Sequence, residues 1–143
     1  MAPTPTPRPV SEPGTLRPRK GALADSLRYA VEGLGYVVRH ERNARIHLAM
    51  AIAVVALGLW LGLSLEQWAF MVAAIALVFA GEMLNTVVEL LVDLICPDVN
   101  PLAKHVKDVA AGAILVASLA AALLGVMILG PKLWLKLAAW LAV

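Results

Sequence analysis

The chain has 143 residues, of which 61% are apolar and 15% are charged. Soluble domains contain roughly 45–50% apolar and about 25% charged residues, so this composition excludes an ordinary soluble enzyme, and a single cysteine excludes a disulfide scaffold. The formal net charge of +2 is too small to indicate a nucleic-acid partner. The mean hydropathy of +0.81 has two possible explanations, one large hydrophobic core or several membrane spans.

The N-terminal part of the chain is predicted to be a tail followed by a surface helix. Residues 1–22 are basic and proline-rich, which is typical of a disordered segment. Residues 23–40 carry apolar side chains at helical spacing, with charged residues on the opposite face. We predict an amphipathic helix here that lies in the membrane interface. Its apolar face comprises Leu23, Leu27, Ala30, Val31, Leu34, Val37 and Val38.

Long stretches without charge predict three transmembrane helices, because a helix needs roughly 20 apolar residues to cross a bilayer. The predicted spans are about 46–65, 68–95 and 109–130, and His47 is the only titratable residue in the first. The second span contains acids and ends before Cys96-Pro97, where proline cannot continue a helix. Residues 23–131 form the predicted membrane domain, and 132–143 form an apolar C-terminal extension.

The distribution of lysine and arginine predicts the orientation in the membrane. Eight of the twelve precede the first span, two lie between the second and third, and two follow the third. None lies in the turn around residues 64–66. The positive-inside rule therefore places the N-terminus and the 96–108 connection in the cytoplasm, as expected for a multi-pass protein of the cell inner or plasma membrane.

The second span carries polar residues on one helical face, namely Glu82, Asn85, Thr86, Glu89 and Asp93. If the hydrocarbon core begins near Trp68, Glu82 lies about 21 Å deep and Glu89 about 31 Å, against a core of about 30 Å. We therefore expect only Glu82 to be truly within the membrane. An intramembrane acid is by default a functional-site hypothesis, whereas Asp93 alone is typical of a solvated helix end.

Two further clusters are predicted at the same cytoplasmic level. Glu41 and Arg45 form an i,i+4 pair before the first span, which alone is typical of a weak surface ion pair. Lys104, Lys107 and Asp108 follow an Asn100-Pro101 helix start. Carboxylates suit Mg²⁺ that also binds phosphates, and lysine neutralises phosphate charge. The combination indicates phosphoryl transfer, although no glycine-rich phosphate loop of the usual type exists.

The segment Glu82-Met-Leu-Asn85-Thr86-Val-Val-Glu89-Leu-Leu-Val92-Asp93 resembles the signature of the prokaryotic diacylglycerol kinase family, which includes the undecaprenol kinases. That signature is E-x-[LIVM]-N-[ST]-[SA]-[LIV]-E-x-x-V-D, and only Val87 departs from it. The resemblance covers residues 23–130 and extends to Glu41-Arg-Asn-Ala-Arg45-Ile-His47, to Pro101-Leu-Ala-Lys104 and to Ala103-Lys104-His-Val-Lys107-Asp108. Ile46-His47 and Ala110-Ala111 look closer to the undecaprenol kinase branch.

The resemblance implies an all-α membrane lipid kinase, a homotrimer of three-span subunits with a surface helix and composite sites between subunits. ATP and Mg²⁺ would bind at the cytoplasmic side, and the acceptor would be a lipid alcohol in the bilayer. By position, Glu82 resembles the catalytic carboxylate, and Glu41 and Glu89 resemble the metal-binding glutamates that also contact the nucleotide site. The remaining predicted site residues are the nucleotide-organising Asn85, Lys107 and Asp108, and the supporting acid Asp93.

Two alternatives to a kinase remain at this point. A small oligomeric proton-coupled transporter would use Glu82 as its proton carrier, but this function does not explain the other polar residues at the cytoplasmic end. A non-catalytic membrane scaffold explains the small residues every fourth position from Ala113 to Gly125. It leaves the cost of burying Glu82 unexplained.

Overall fold

The computed structural model describes residues 23–142, and within that range it contains only helices. They are α1 (Leu23–His40), α2 (Arg42–Leu61), α3 (Leu65–Ile95) and α4 (Pro101–Leu141). The predicted all-α fold is confirmed. The predicted tail at 1–22 lies outside the described residues.

Three of these helices are long and apolar enough to cross a membrane, namely α2 with 20 residues, α3 with 31 and α4 with 41. At 1.5 Å per residue, α3 and α4 are longer than the roughly 30 Å hydrocarbon core, so both extend beyond it. The number of predicted spans is confirmed. The helix α4 also continues through Pro131 to Leu141, so the predicted C-terminal extension is helical as far as Leu141.

The three long helices pack as an up-down-up bundle, with α4 along α3, α2 against both, and α1 against α2 and α3. This order places the α1–α2 junction, the C-terminus of α3 and the N-terminus of α4 at one end, which we call the acidic end. The turn between α2 and α3 and the last turns of α4 form the other end, which we call the lysine end. Inside the bundle, a Cβ on Gly81 would lie 2.7 Å from Ile114 Cδ1, so glycine permits the close approach of α3 and α4.

The connections between the spans are fixed by local capping. The helix α2 ends at Gly62, whose φ of 65° is a left-handed conformation that suits glycine. Ser64 then caps α3 in a capping box, because its side chain accepts from Gln67 N while the Gln67 side chain accepts from Ser64 N. At the acidic end, Asn100 Oδ1 accepts from Leu102 N, and Pro101 occupies the first turn of α4.

Candidate functional site

Glu82 of α3 is the largest fully buried side chain among the described residues, with 2% of its surface exposed. Asn85 and Thr86, one turn further along, are also buried. The burial therefore extends beyond Glu82, because the helical face that carries the acids turns toward the other helices of the bundle. Thr86 Oγ1 donates to the backbone oxygen of Glu82 at 3.0 Å and not to its carboxylate.

His47 of α2 contacts this acid from the neighbouring span. Its Nε2 lies 3.1 Å from Glu82 Oε1, within ion-pairing distance but off the line of a hydrogen bond. Ser118 of α4 places its Oγ 3.5 Å from the same nitrogen. The sequence interpretation gave His47 no role, although it is the only titratable residue in the first charge-free stretch and could have been singled out on that ground. One polar side chain from each span therefore meets at this point.

Two oxygens in this region have no hydrogen-bond partner among the described residues, namely Glu82 Oε1 and Asn85 Oδ1. The amide of Asn85 is held in place, because its Nδ2 donates to Glu89 Oε1 at 2.9 Å. A buried acceptor without a partner costs about 1–3 kcal/mol, and unsatisfied groups of this kind are exceptional in folded proteins. The site therefore retains acceptor oxygens that an incoming donor or cation would satisfy.

Glu41 and Glu89 lie close enough to Glu82 for their negative charges to repel its carboxylate. Glu41 is at the N-cap of α2, but its side chain makes no capping hydrogen bond. The predicted pairing of Glu41 with Arg45 is not present; Arg45 instead donates to the oxygen of Arg39 at 2.9 Å and so caps the end of α1. Across residues 23–142, no lysine or arginine lies within ion-pairing distance of these three glutamates.

The predicted nucleotide-site residues on α4 are paired with other acids. Lys107 Nζ donates to Asp93 Oδ1 at 2.5 Å and thereby joins α4 to the last turn of α3. Asp108 accepts from Lys104 at 2.6 Å within its own helix. Lys107 is thus brought to the acidic face of α3, one turn beyond Glu89, whereas Asp108 is exposed and does not contact the glutamates.

An apolar groove of about 450 Å³ runs along the inside of α2, α3 and α4. Among the described residues that line it, His47 and Ser118 are the only polar side chains, and they mark the end nearest Glu82. From there the lining continues toward the lysine end through Val54, Met71, Val78, Gly125 and Leu133. A hydrocarbon chain in this groove could have its polar terminus beside His47 and Ser118, and His47 in turn contacts the Glu82 carboxylate.

Whether the acidic residues near Glu82 suit a magnesium ion depends on how many ligands the protein must supply. The described residues contain no cluster of three or more His, Cys, Asp or Glu side chains arranged as a metal site. Magnesium, however, is usually held by one or two carboxylates together with substrate phosphates and water. Glu41 and Glu89, both near Glu82 and free of a lysine or arginine partner in the described range, fit a metal that arrives with a phosphate ligand.

Comparison with known proteins identifies the family of this chain. Residues 28–129 match the family described as prokaryotic diacylglycerol kinase. The undecaprenol kinase of Bacillus subtilis is 40% identical over 108 residues, which cover 76% of this chain and 88% of the relative. The diacylglycerol kinase of Synechocystis is 39% identical over 133 residues, covering 87% and 76%, and that of Haemophilus influenzae is 28% identical over 95 residues, covering 66% and 80%. The chain belongs to the prokaryotic diacylglycerol kinase family and is a multi-pass membrane lipid kinase.

Proposed function

We propose that this protein transfers the γ-phosphoryl group of ATP, in the presence of Mg²⁺, to the hydroxyl of a membrane lipid alcohol at the cytoplasmic interface. The acceptor is undecaprenol, giving undecaprenyl phosphate, or diacylglycerol, giving phosphatidic acid. One observation carries the proposal: a buried carboxylate oxygen that accepts no hydrogen bond, Glu82 Oε1, lies against His47, which lines the polar end of an apolar groove.

The reaction assigns Glu82 the role of catalytic base. Its carboxylate accepts the proton of the lipid hydroxyl as the hydroxyl oxygen forms a bond to the γ-phosphorus. The bond between that phosphorus and the oxygen bridging to the β-phosphate breaks, and ADP leaves. Burial of Glu82 supports this role. Because water has little access to a buried base, transfer of the phosphoryl group to the lipid is favoured over hydrolysis of ATP.

The other predicted site residues would bind the nucleotide and its metal. Glu41 and Glu89 would hold Mg²⁺, which neutralises phosphate charge when bound. Asn85 supports the metal site through its hydrogen bond to Glu89. Lys107 would exchange its present partner, Asp93, for a phosphate oxygen, and Asp108 would organise the nucleotide at the same end.

The proposed orientation puts the acidic end in the cytoplasm. In the up-down-up bundle, the α1–α2 junction and the connection at 96–100 share this end. Most lysines and arginines precede α2 or lie in this connection and the start of α4, which supports a cytoplasmic N-terminus in the cell membrane. ATP would then reach the site from the cytoplasm.

We further propose a homotrimer with composite sites, as the family resemblance implies. The pairing within one chain supports a contribution from a second copy, because the lysines at the acidic end bind Asp93 and Asp108 rather than the three glutamates. A mixing experiment tests this proposal. Glu82→Gln and Lys107→Met, each inactive alone, should regain activity when the two are refolded together; no recovery would overturn sites shared between subunits.

A proton-coupled transporter is not favoured. Such a function uses one intramembrane acid, whereas the chain belongs to a family of lipid kinases. The two relatives of similar identity carry different acceptors in their names, undecaprenol at 40% and diacylglycerol at 39%. The residues after Lys107-Asp108 and the Ile46-His47 pair resemble the undecaprenol branch, so undecaprenol is the expected acceptor.

The experiment compares the two acceptors directly. Purified protein in mixed micelles receives ATP labelled at the γ-position, with undecaprenol in one arm and diacylglycerol in another. We expect label in a lipid product, faster with undecaprenol, and arrest by a chelator that added Mg²⁺ reverses. Label in neither lipid would overturn the kinase function, and faster labelling of diacylglycerol would reverse the choice of acceptor.

A further inference from the structure

His47 is the one polar side chain in the described residues that reaches the Glu82 carboxylate from another helix. Its Nε2 is 3.1 Å from Oε1, while Thr86 bonds only the Glu82 backbone and Asn85 bonds Glu89. Because no lysine or arginine of the described range pairs with Glu82, the direction of this carboxylate depends on the histidine.

The histidine is itself fixed by its surroundings. Its side chain is 19% exposed, and Ser118 Oγ lies 3.5 Å from the same ring nitrogen. Both residues line the end of the apolar groove that is nearest Glu82. Three spans thus contribute one group each, because Glu82 Oε1 and Ser118 Oγ both lie against His47 Nε2, where a single N–H can be shared between the two oxygens.

We propose that His47 is a positioning residue that holds the Glu82 carboxylate toward the groove, with Ser118 fixing the ring. The inference rests on the proposed role of Glu82 as base, and it gives a role to a residue that the family resemblance includes but assigns to no part of the site. Nε2 and Oε1 are close enough for a hydrogen bond but are not aligned for one, so the positioning role requires a rotation of the imidazole ring that directs an Nε2–H toward Oε1.

The positioning role is distinguished from a packing role by two substitutions with opposite properties. His47→Gln keeps an N–H donor, whereas His47→Leu introduces an apolar side chain that suits the groove but has no donor. If His47 positions Glu82, kcat falls about 10²-fold in the leucine variant, since a misplacement of about 1 Å can cost that much. The glutamine variant should retain about tenfold more activity than the leucine variant, and KM for ATP should be unchanged in both.

Ser118→Ala provides the intermediate case. Because Ser118 acts on the ring and not on the carboxylate, its loss should lower kcat by several-fold and leave KM for ATP unchanged. A leucine variant equal to or more active than the glutamine variant would show that His47 only packs, and would overturn the inference while leaving the kinase function intact. A wild-type protein that labels neither lipid would overturn the function itself and, with it, the assigned role.

A second measurement does not depend on activity. The protein has three histidines, so the ring ¹⁵N signals of His47 can be assigned by comparison with the His47→Gln spectrum. Glu82→Gln should shift these signals in the protein without substrate. Glu66→Gln, an exposed acid at the start of the same helix, is the matched control and should leave them in place. Unshifted signals in Glu82→Gln would overturn the contact and the proposal.

Discussion

The two ends of the bundle differ in whether their polar atoms have hydrogen-bond partners. At the lysine end, Lys136 donates to the oxygen of Trp60 and lies over its ring, and Lys132 donates to the oxygen of Gly62. The preceding carbonyls of α2 are satisfied by backbone N–H groups of the turn that follows. The acidic end also has capped helix ends and lysine–aspartate pairs, but there the buried Glu82 Oε1 and Asn85 Oδ1 accept no hydrogen bond from the described residues.

This difference indicates that some contacts of this small chain serve stability and others serve function. Satisfying the last carbonyls of a helix stabilises it, and lysines near a helix C-terminus also interact favourably with its dipole. Leaving a buried acceptor unpaired costs about 1–3 kcal/mol and gives nothing to the fold. The side-chain contacts of the lysine end therefore contribute to stability alone, whereas the acidic end also retains acceptor oxygens for a ligand. If this is correct, substitutions at one end should leave the property of the other end unchanged.

The largest expected effect is that of Glu82→Gln, which removes the proposed base while keeping its shape. Phosphoryl transfer should fall about 10³- to 10⁴-fold, near the upper range for general base catalysis, and the oligomer should remain intact. Transfer of label to lipid and the elution position in detergent measure the two. Glu66→Gln, at the lysine end of the same helix, is the control and should keep full activity. Full activity in Glu82→Gln would refute its assigned role.

Glu89→Gln should cause the next largest loss. The glutamine retains an oxygen that can accept from Asn85 Nδ2, so the substitution removes the charge and leaves the hydrogen bond. Because that charge is proposed to hold Mg²⁺, transfer should be abolished at ordinary Mg²⁺ concentrations, a loss of about 100-fold or more, and high Mg²⁺ should restore part of it. Glu32→Gln, an exposed acid on α1, is the control. Unchanged activity and unchanged Mg²⁺ dependence would contradict this role.

Much of the fold could be predicted because the bilayer imposes a simple rule on sequence. Charge-free stretches identified the three spans, and the 3.6-residue period placed Glu82, Asn85 and Glu89 on one face of α3. The length of α4 could not be predicted this way. Lys132 ends the apolar stretch but not the helix, because its side chain reaches back to the turn after α2 instead of requiring water.

The sequence could relate site residues to each other only when they lie on the same helix. Spacing along α3 relates Glu82 to Glu89, but no spacing shows that His47 of α2 meets Glu82 or that Lys107 of α4 binds Asp93. These contacts depend on the rotation of each helix about its axis, which packing sets. The same reason explains Arg45, whose i,i+4 spacing favours Glu41 but whose side chain finds the carbonyls at the end of α1.

At the lysine end, Gly58→Ala should lower stability without changing catalysis. A Cβ at this position would lie 2.9 Å from Leu63 Cδ1 and 3.0 Å from Trp68 Cη2, and the indole ring cannot easily move aside. Overpacking of this kind costs about 1–3 kcal/mol, so the melting temperature in detergent should fall while activity per folded molecule is retained. Gly33→Ala, which meets no atom within 4 Å, is the control. A comparable loss of specific activity in Gly58→Ala would show that the ends are coupled.

The smallest expected effect is that of Lys136→Met. Methionine keeps a long flexible side chain over Trp60 but loses the N–H donor and the charge, so the oxygen of Trp60 loses its partner. Because this oxygen lies near the bundle surface, water or lipid headgroups replace much of the lost hydrogen bond, and the net cost should be about 1 kcal/mol. We expect a melting temperature lower by a few degrees, unchanged transfer activity, and recovery in Lys136→Arg, which restores a donor. Equal stability of the methionine and wild-type proteins would mean that backbone capping by the turn alone holds this end, and that the lysines act on the bilayer rather than on the helix.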